Sequence, residues 1–527
     1  MHAVLLFDLI VATLIAVSAL YWVAERMGWP PSATLLIGGA ALAFVPGIPP
    51  VQLDPELVLV LFLPPLLSDG AWFTEIARFR RHMIGILSLA VGAVLFSTVV
   101  VALLTHWLLP ELPWAACAAL GAIVSPPDAI SARAVLARVR LPRRLNALLE
   151  GESLLNDATG LVVFRFAVAA AAGGAVTPGA AIGRFAALVI GGCVVGFAVG
   201  AAWAWLARHL RNELLLVVAS VLICWTAYIA AEAIDVSGVI AVITSGLMMS
   251  WRQHVLLTAA VRVRATSLWQ VLVFLMEASV FVLIGFSLRD VLSRGGGLEG
   301  LPDGRAWAIV AIVGALIVAR FVWVFASDAV VLMLRRVGIG REDPIGVRCA
   351  TIMGWAGMRG VVTLAAALTL PTEFPGRDVI LLVAFATILV TVLVQGSTLG
   401  VLIRWLGVRR AEDDEPPMDL FAAEQEMMHA QLAVVEQLAR DEQGQVVHPQ
   451  LLRRYTARAK VGIDFIGTQE ERIAAIASHF DVIIEAVRAG RSALVRLHRA
   501  NLIDDETMRD LEHDLDLEEM GAIASKA

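Results

Sequence analysis

The predicted fold class is an all-α polytopic membrane protein with a helical tail outside the bilayer. Three observations carry that prediction. The 527-residue chain is 59% hydrophobic and 17% charged, with a mean hydropathy of +0.78, more apolar surface than a water-facing exterior can hide. The apolar residues fall in long runs separated by short polar breaks, the pattern of membrane-spanning helices. The arginines gather at alternate breaks, as in a chain threaded back and forth through a bilayer.

Taken in order, apolar runs of roughly 17–28 residues predict about thirteen spans. They lie near 4–24, 32–48, 52–70, 83–109, 113–136, 145–172, 178–207, 212–232, 237–251, 266–290, 306–334, 345–370 and 377–404. The first lacks a basic leader and a small-residue cleavage site, so it reads as a span and not as a signal peptide. With the N-terminus outside, the inner breaks carry Arg78, Arg80 and Arg81, then Arg138, Arg140, Arg143 and Arg144. Further inner breaks carry Arg335, Arg336 and Arg341, then Arg404, Arg409 and Arg410. Arg289, Arg294, Arg305 and Arg377 fall at outer ends. With Arg26, Arg208, Arg211, Arg252, Arg262 and Arg264 also at inner ends, the asymmetry is roughly five to one and satisfies the positive-inside rule. It places the tail in the cytoplasm; the spans are expected in the cell's inner (cytoplasmic) membrane.

Charge divides the chain into a membrane domain, 1–410, and a cytoplasmic domain, 411–527. From Ala411 onward there are 24 acidic and 12 basic residues, while the first 410 residues are net basic. The tail opens on the charged linker "RRAEDDEPPMDL". Three stretches starting near 420, 473 and 504 then show helical apolar spacing, as in a small soluble bundle. It holds no nucleotide-binding glycine pattern, metal cluster or catalytic triad. No enzymatic centre, resident cofactor or nucleic-acid partner is expected. Cys117, Cys193, Cys224 and Cys349 all sit in apolar runs without a Cys-x-x-Cys pair, and each is expected to be a buried small hydrophobe.

Function is sought in the charges inside the spans. A mid-bilayer charge costs roughly 2.5–3.5 kcal/mol on insertion scales, so such residues are functional candidates. Asp69 ends the third span in "LFLPPLLSDGAW", where the double proline predicts a kink that turns this end inward. Asp128 lies in "GAIVSPPDAISA". Pro126 and Pro127 remove two backbone donors and push the preceding residues out of the α region, freeing carbonyls at mid-membrane. Such backbone is tolerated where it lines a cavity or is buried in protein, and with a carboxylate it makes an oxygen-rich cation site.

The sixth span holds "GESLLNDATG". Ser153 and Asp157 are one turn apart on one face, and Glu152 and Asn156 share a second face turned by about 100°. The twelfth span holds "IMGWAGMRGVVTLAAAL", with Gly354, Gly357, Arg359 and Gly360. The glycines loosen the helix, and a buried Arg359 needs a carboxylate, for which Glu152 is the expected partner. Two interrupted spans seven apart run in opposite directions, which points to an inverted repeat with a midplane site. Asp128 and Arg359 would each offset the dipole of the opposing half-helix. Arg133, Arg165, Glu277 and Arg320 receive no role beyond structural pairing.

Four stretches, "FLPPLLSDGAW", "AIVSPPDAI", "LLEGESLLNDATG" and "GWAGMRGVVTLAAALTLP", resemble the cation–proton antiporter superfamily, in the branch of bacterial sodium/proton antiporters related to animal sodium/proton exchangers. The resemblance implies an inverted-repeat antiporter fold of thirteen helices with a dimerisation domain and a moving core, in a homodimer. It implies electroneutral exchange of Na+, or Li+, for H+ in pH and sodium homeostasis. Asp157 would be the central carboxylate, Ser153, Asp128, the Pro127 carbonyl and Asp69 the other ligands of the transported ion, and Glu152, Asn156 and Arg359 the support. The chain departs from the family at Pro127-Asp128-Ala129, where Thr-Asp-Pro is frequent, and at Asp69, where bacterial members often have Glu. A K+/H+ exchanger uses the same kinds of residue. So does a passive channel, which would conduct without proton coupling. An intramembrane aspartyl protease built on Asp128 and Asp157 lacks its Gly-x-Gly-Asp-type surround.

Overall fold

A computed structural model describes the chain except for residues 1–2, 46–54, 75, 129–140, 173–177, 295–304, 339–342, 372, 409–419, 441–442, 444, 462–468, 501, 503–504 and 527. Arg133, the 129–136 end of the fifth predicted span and the predicted domain boundary at 410/411 lie outside the described residues. The chain divides into two compact units, Met1–Asp414 and Glu415–Ala527.

The first unit is helical along its described length. Its elements are α1 (Ala3–Met27), α2 (Pro31–Ala43), α3 (Pro55–Phe73), the short α4 (Ile76–Arg81), α5 (Met83–Leu108) and α6 (Trp114–Val124). Then come α7 (Arg143–Ala171), α8 (Pro178–His209), α9 (Glu213–Glu232), α10 (Gly238–Leu256), α11 (Ala259–Arg294) and α12 (Arg305–Arg336). The half-helices α13 (Val347–Trp355) and α14 (Val361–Leu368) precede α15 (Arg377–Leu406). Among the described residues, seven helices are long and apolar enough to cross a membrane, lying within α5, α7, α8, α9, α11, α12 and α15. Shorter apolar helices fall at α2, in the Leu59–Trp72 part of α3 and at α6.

Local chemistry explains how these helices tolerate their breakers. Helix α3 runs through Pro64 and Pro65. Pro64 has no N–H for the Val60 carbonyl, and the Trp225 indole donates to that carbonyl instead, at 3.0 Å. Helix α9 begins where the Asn212 side chain accepts the N–H groups of Leu214 and Leu215, a standard N-cap.

Two groups of helices emerge from the packing. One contains α1, α2, α3 and α8–α11. Its closest pair, α2 and α11, meets through Gly39 and Gly285, where an added Cβ would fall 2.3–2.4 Å from facing carbonyls, so the two backbones approach through small residues. The second group contains α5, α6, α7, α12, α13, α14 and α15 and carries the interrupted helices. Along the boundary α3 and α11 pack on α14, and α10 packs on α7.

The second unit contains α16 (Leu420–Leu438), α17 (Pro449–Val461), α18 (Gln469–Arg499) and α19 (Asp505–Lys526). Helix α16 pairs with α17, and α18 pairs with α19, where Arg491 donates to Asp516 and Glu519 at 2.7 and 2.6 Å. Helix α17 is additional to the three predicted stretches. Cys117 and Cys224 are buried, but Cys349 is half-buried and Cys193 is exposed on α8, which corrects the expectation of burial for these two: α8 keeps much of its surface free of protein neighbours.

Candidate ion-binding site

The site begins where two broken helices meet. Helix α6 stops at Val124, just before Pro126 and Pro127, which cannot donate to the preceding turn. Helix α13 stops at Trp355, and α14 restarts at Val361. The Asp128 backbone N–H donates to the Met358 carbonyl at 2.6 Å. The Asp128 carboxylate lies against Gly360, where an added Cβ would fall 1.7 Å from Oδ2. Asp128 therefore stands at the N-terminal, positive end of α14.

Arg359 does the converse at the other half-helix. Its Nε donates to the Val124 carbonyl at 2.9 Å and its Nη2 to the Ser125 carbonyl at 3.2 Å, with a further bond to Gly357. These are carbonyls at the C-terminal, negative end of α6. The two charges thus face the opposing half-helix ends, as the sequence pattern predicts.

Helix α7 supplies the next layer. Asp157 falls at the midpoint of its 29 residues and is buried, 9% exposed. It lies within electrostatic reach of Asp128. Ser153 is half-buried one turn earlier. The fully buried Asn156 donates its amide to the Pro127 carbonyl. Its Oδ1 has no hydrogen-bond partner among the described residues. Asp69 is buried on α3, which packs against both α7 and α14.

One expected pairing is wrong. Glu152 does not hold Arg359; it forms a two-pronged pair with Arg320 of α12, Nη1 to Oε1 at 2.6 Å and Nη2 to Oε2 at 3.0 Å. Arg320 also donates to the Met353 carbonyl at 3.1 Å. A planar guanidinium matches a carboxylate edge to edge, and Arg320 meets Glu152 that way while Arg359 is already engaged by carbonyls. Asn156, on the same face of α7, turns to the broken backbone at Pro127. Arg359 remains within the electrostatic field of Glu152 and Arg320.

The three glycines near Arg359 each make room for a particular neighbour. Gly354 faces the Phe321 ring, Gly357 faces the Arg320 side chain and Gly360 faces Asp128. Sequence reasoning missed the role of Arg320, although an arginine inside an apolar run was the available signal. It also missed Thr391, which accepts the Arg359 backbone N–H at 3.0 Å.

Chemically, the arrangement concentrates oxygens beside broken backbone: the Asp157 and Asp128 carboxylates, the Pro127 carbonyl and the Asn156 amide oxygen. A carbonyl oxygen has two lone pairs, so the bond from Asn156 leaves Pro127 able to accept again. Such a set suits a partly dehydrated alkali cation. Two neighbouring carboxylates repel when both are charged, and a cation or a proton relieves that repulsion.

Comparison with known proteins fits this geometry. Residues 11–405 match the profile of the family described as "Sodium/hydrogen exchanger, transmembrane". A protein of Mycobacterium tuberculosis described as an uncharacterized Na(+)/H(+) exchanger is 34% identical over 507 residues, covering 93% of this chain and 91% of that one. A Bacillus subtilis protein described as a sodium, potassium, lithium and rubidium/H(+) antiporter is 32% identical over 388 residues, covering 71% of this chain and 57% of that one. The fold is similar to the solved structure of the sodium proton antiporter MjNhaP1 of Methanocaldococcus jannaschii at pH 8, with TM-score 0.60 and 20% identity, covering 77% of this chain and all of that one.

Proposed function

The chain belongs to the sodium/hydrogen exchanger family, and from that premise we propose that it exchanges Na+ for H+ electroneutrally, by alternating access, across the cytoplasmic membrane. The observation that carries this reading is the burial of Asp157 at the midpoint of α7 beside Asp128, where the half-helix ends meet. Asp157 holds either the cation or the proton. Ser153, Asp128, Asp69 and the Pro127 carbonyl complete the oxygen set. Asn156 orients the Pro127 carbonyl, Arg359 caps α6, and the Glu152–Arg320 pair braces α7 against α12.

Asn156 beside Asp157 is neutral, and the exchange of one proton per sodium ion is what the resemblance to the family implies for such a pair. An empty, charged site resists crossing the bilayer, whereas a loaded one does not. That difference couples the two fluxes without a cofactor. The reading includes thirteen spans arranged as an inverted repeat, an outside N-terminus, a cytoplasmic tail, a homodimer and a role in pH and sodium homeostasis.

The test is proton flux in everted vesicles, followed with a pH-sensitive dye as Na+, Li+ or K+ is added in parallel. Na+ and Li+ are expected to discharge the pH gradient at a rate unchanged by clamping the membrane potential. A response to the potential would overturn electroneutrality. Discharge by K+ alone would support the second reading, K+/H+ exchange; potassium is one of the four cations in the description of the Bacillus subtilis relative.

A further inference from the structure

The break between α13 and α14 is a five-residue strap, Ala356–Gly360, and three consecutive residues of it each make a contact that matters. Met358 offers its carbonyl to the Asp128 N–H. Gly360 receives the Asp128 carboxylate. Between them, Arg359 turns its guanidinium to α6 and its backbone N–H to Thr391 Oγ1, at 3.0 Å. Without Thr391 that N–H would be a donor in broken backbone at membrane depth, where an unsatisfied group is costly.

Thr391 is also the first residue of an irregular stretch of its own helix. Residues Thr391–Gln395 of α15 form a π-helical segment, a local widening that changes the register of the side chains beyond it and recurs at functional sites. The Thr391 hydroxyl is fully buried. It donates to the Thr387 carbonyl at 2.7 Å while accepting from Arg359, so its proton and a lone pair are both committed. One turn on, Gly396 faces the Met358 sulfur, so the same face of α15 supports the strap at a second point.

We infer that Thr391 is a positioning residue for the transported cation. It never touches the ion; it fixes the Met358–Gly360 strap, and through that strap sets where the Asp128 carboxylate and the Arg359 guanidinium stand. The inference rests on the reading of the site as the place of cation and proton exchange.

The experiment uses the full-length protein in liposomes, comparing the parent with Thr391→Val, which keeps shape and loses the hydroxyl, and Thr391→Ser, which keeps the hydroxyl. Loss of a buried hydrogen bond worth about 1.4 kcal/mol corresponds to a factor of about ten. Thr391→Val is expected to raise the apparent KM for Na+ about tenfold and to displace the pH profile of exchange, and Thr391→Ser to restore both to within about twofold. Ser397→Ala, at an exposed hydroxyl of the same helix that bonds its own backbone, should leave both unchanged. Parental KM and pH profile in Thr391→Val, or a variant altered in Tm and Vmax alone, would overturn the inference. If Thr391→Val does not fold, Thr391→Ser against Thr391→Ala decides by the same two readouts. A parent that moves no proton with any alkali cation overturns the functional reading and this inference with it. An active parent with an unaltered Thr391→Val overturns the inference alone.

Discussion

Two of the arginine–glutamate pairs among the described residues of the membrane unit share the same chemistry in opposite surroundings. Arg320 and Glu152 meet with side chains 3% and 2% exposed. Arg165 and Glu232 meet at 3.0 Å with side chains 52% and 33% exposed. The first joins two helices of the group that carries the site, α7 and α12. The second joins α7 to the end of α9, where Glu232 also accepts the first N–H of α10. Burial is what separates their roles. A buried charge that loses its partner has no water to turn to, so the Glu152–Arg320 pair is a constraint that α7 cannot release cheaply. Glu232 is the last residue of α9, and a pair at a helix end that water reaches biases geometry only slightly.

That contrast can be broken in a definite order. Glu152→Gln leaves Arg320 buried without a counter-charge and is expected to cost about 3–5 kcal/mol of stability, read as a large fall in the unfolding midpoint in detergent. Replacing both partners together, Glu152→Leu with Arg320→Met, should recover most of that loss. If the double variant is no more stable than Glu152→Gln, the orphaned charge is not the cause.

Next in size is Gly360→Ala. Its new methyl has no room beside Asp128, and overpacking of this kind costs about 1–3 kcal/mol. Exchange should fall at least about tenfold while the protein still purifies as a folded species. Near-parental exchange would mean that Asp128 can shift without consequence.

The smallest effect belongs to the exposed pair. Arg165→Gln or Glu232→Gln should change stability by about 0.2–1 kcal/mol and less at high salt, with exchange rates moved by no more than about fivefold. A loss as large as that of Glu152→Gln would erase the distinction between the two pairs.

The same distinction marks what the sequence could disclose. Long apolar runs announce helices in a membrane, because a helix satisfies its backbone within a single continuous segment. The Pro126-Pro127 step and the glycines around Arg359 announce breaks, because their backbone chemistry is local. Asp128, Asp157 and Arg359 were legible for the same reason: each is a charge, or sits beside a breaker, inside an apolar run. Partners were not legible. Arg320 and Arg359 are both arginines in spans, and a helical pattern does not say which faces Glu152; that depends on how α12 and α13 are rotated about their axes. Thr391 was less legible still, since a threonine in an apolar span is ordinary and a π segment leaves no composition mark.

The account rests on Asp157 as the group that holds the cation and the proton in turn. The most direct test is sodium-driven proton movement by purified Asp157→Asn in liposomes, beside the parent, with folding checked by its unfolding midpoint. The variant should be folded, with a midpoint no lower than the parent's, and should move no protons in response to Na+, Li+ or K+. Parental exchange by a folded Asp157→Asn would contradict the account at its centre.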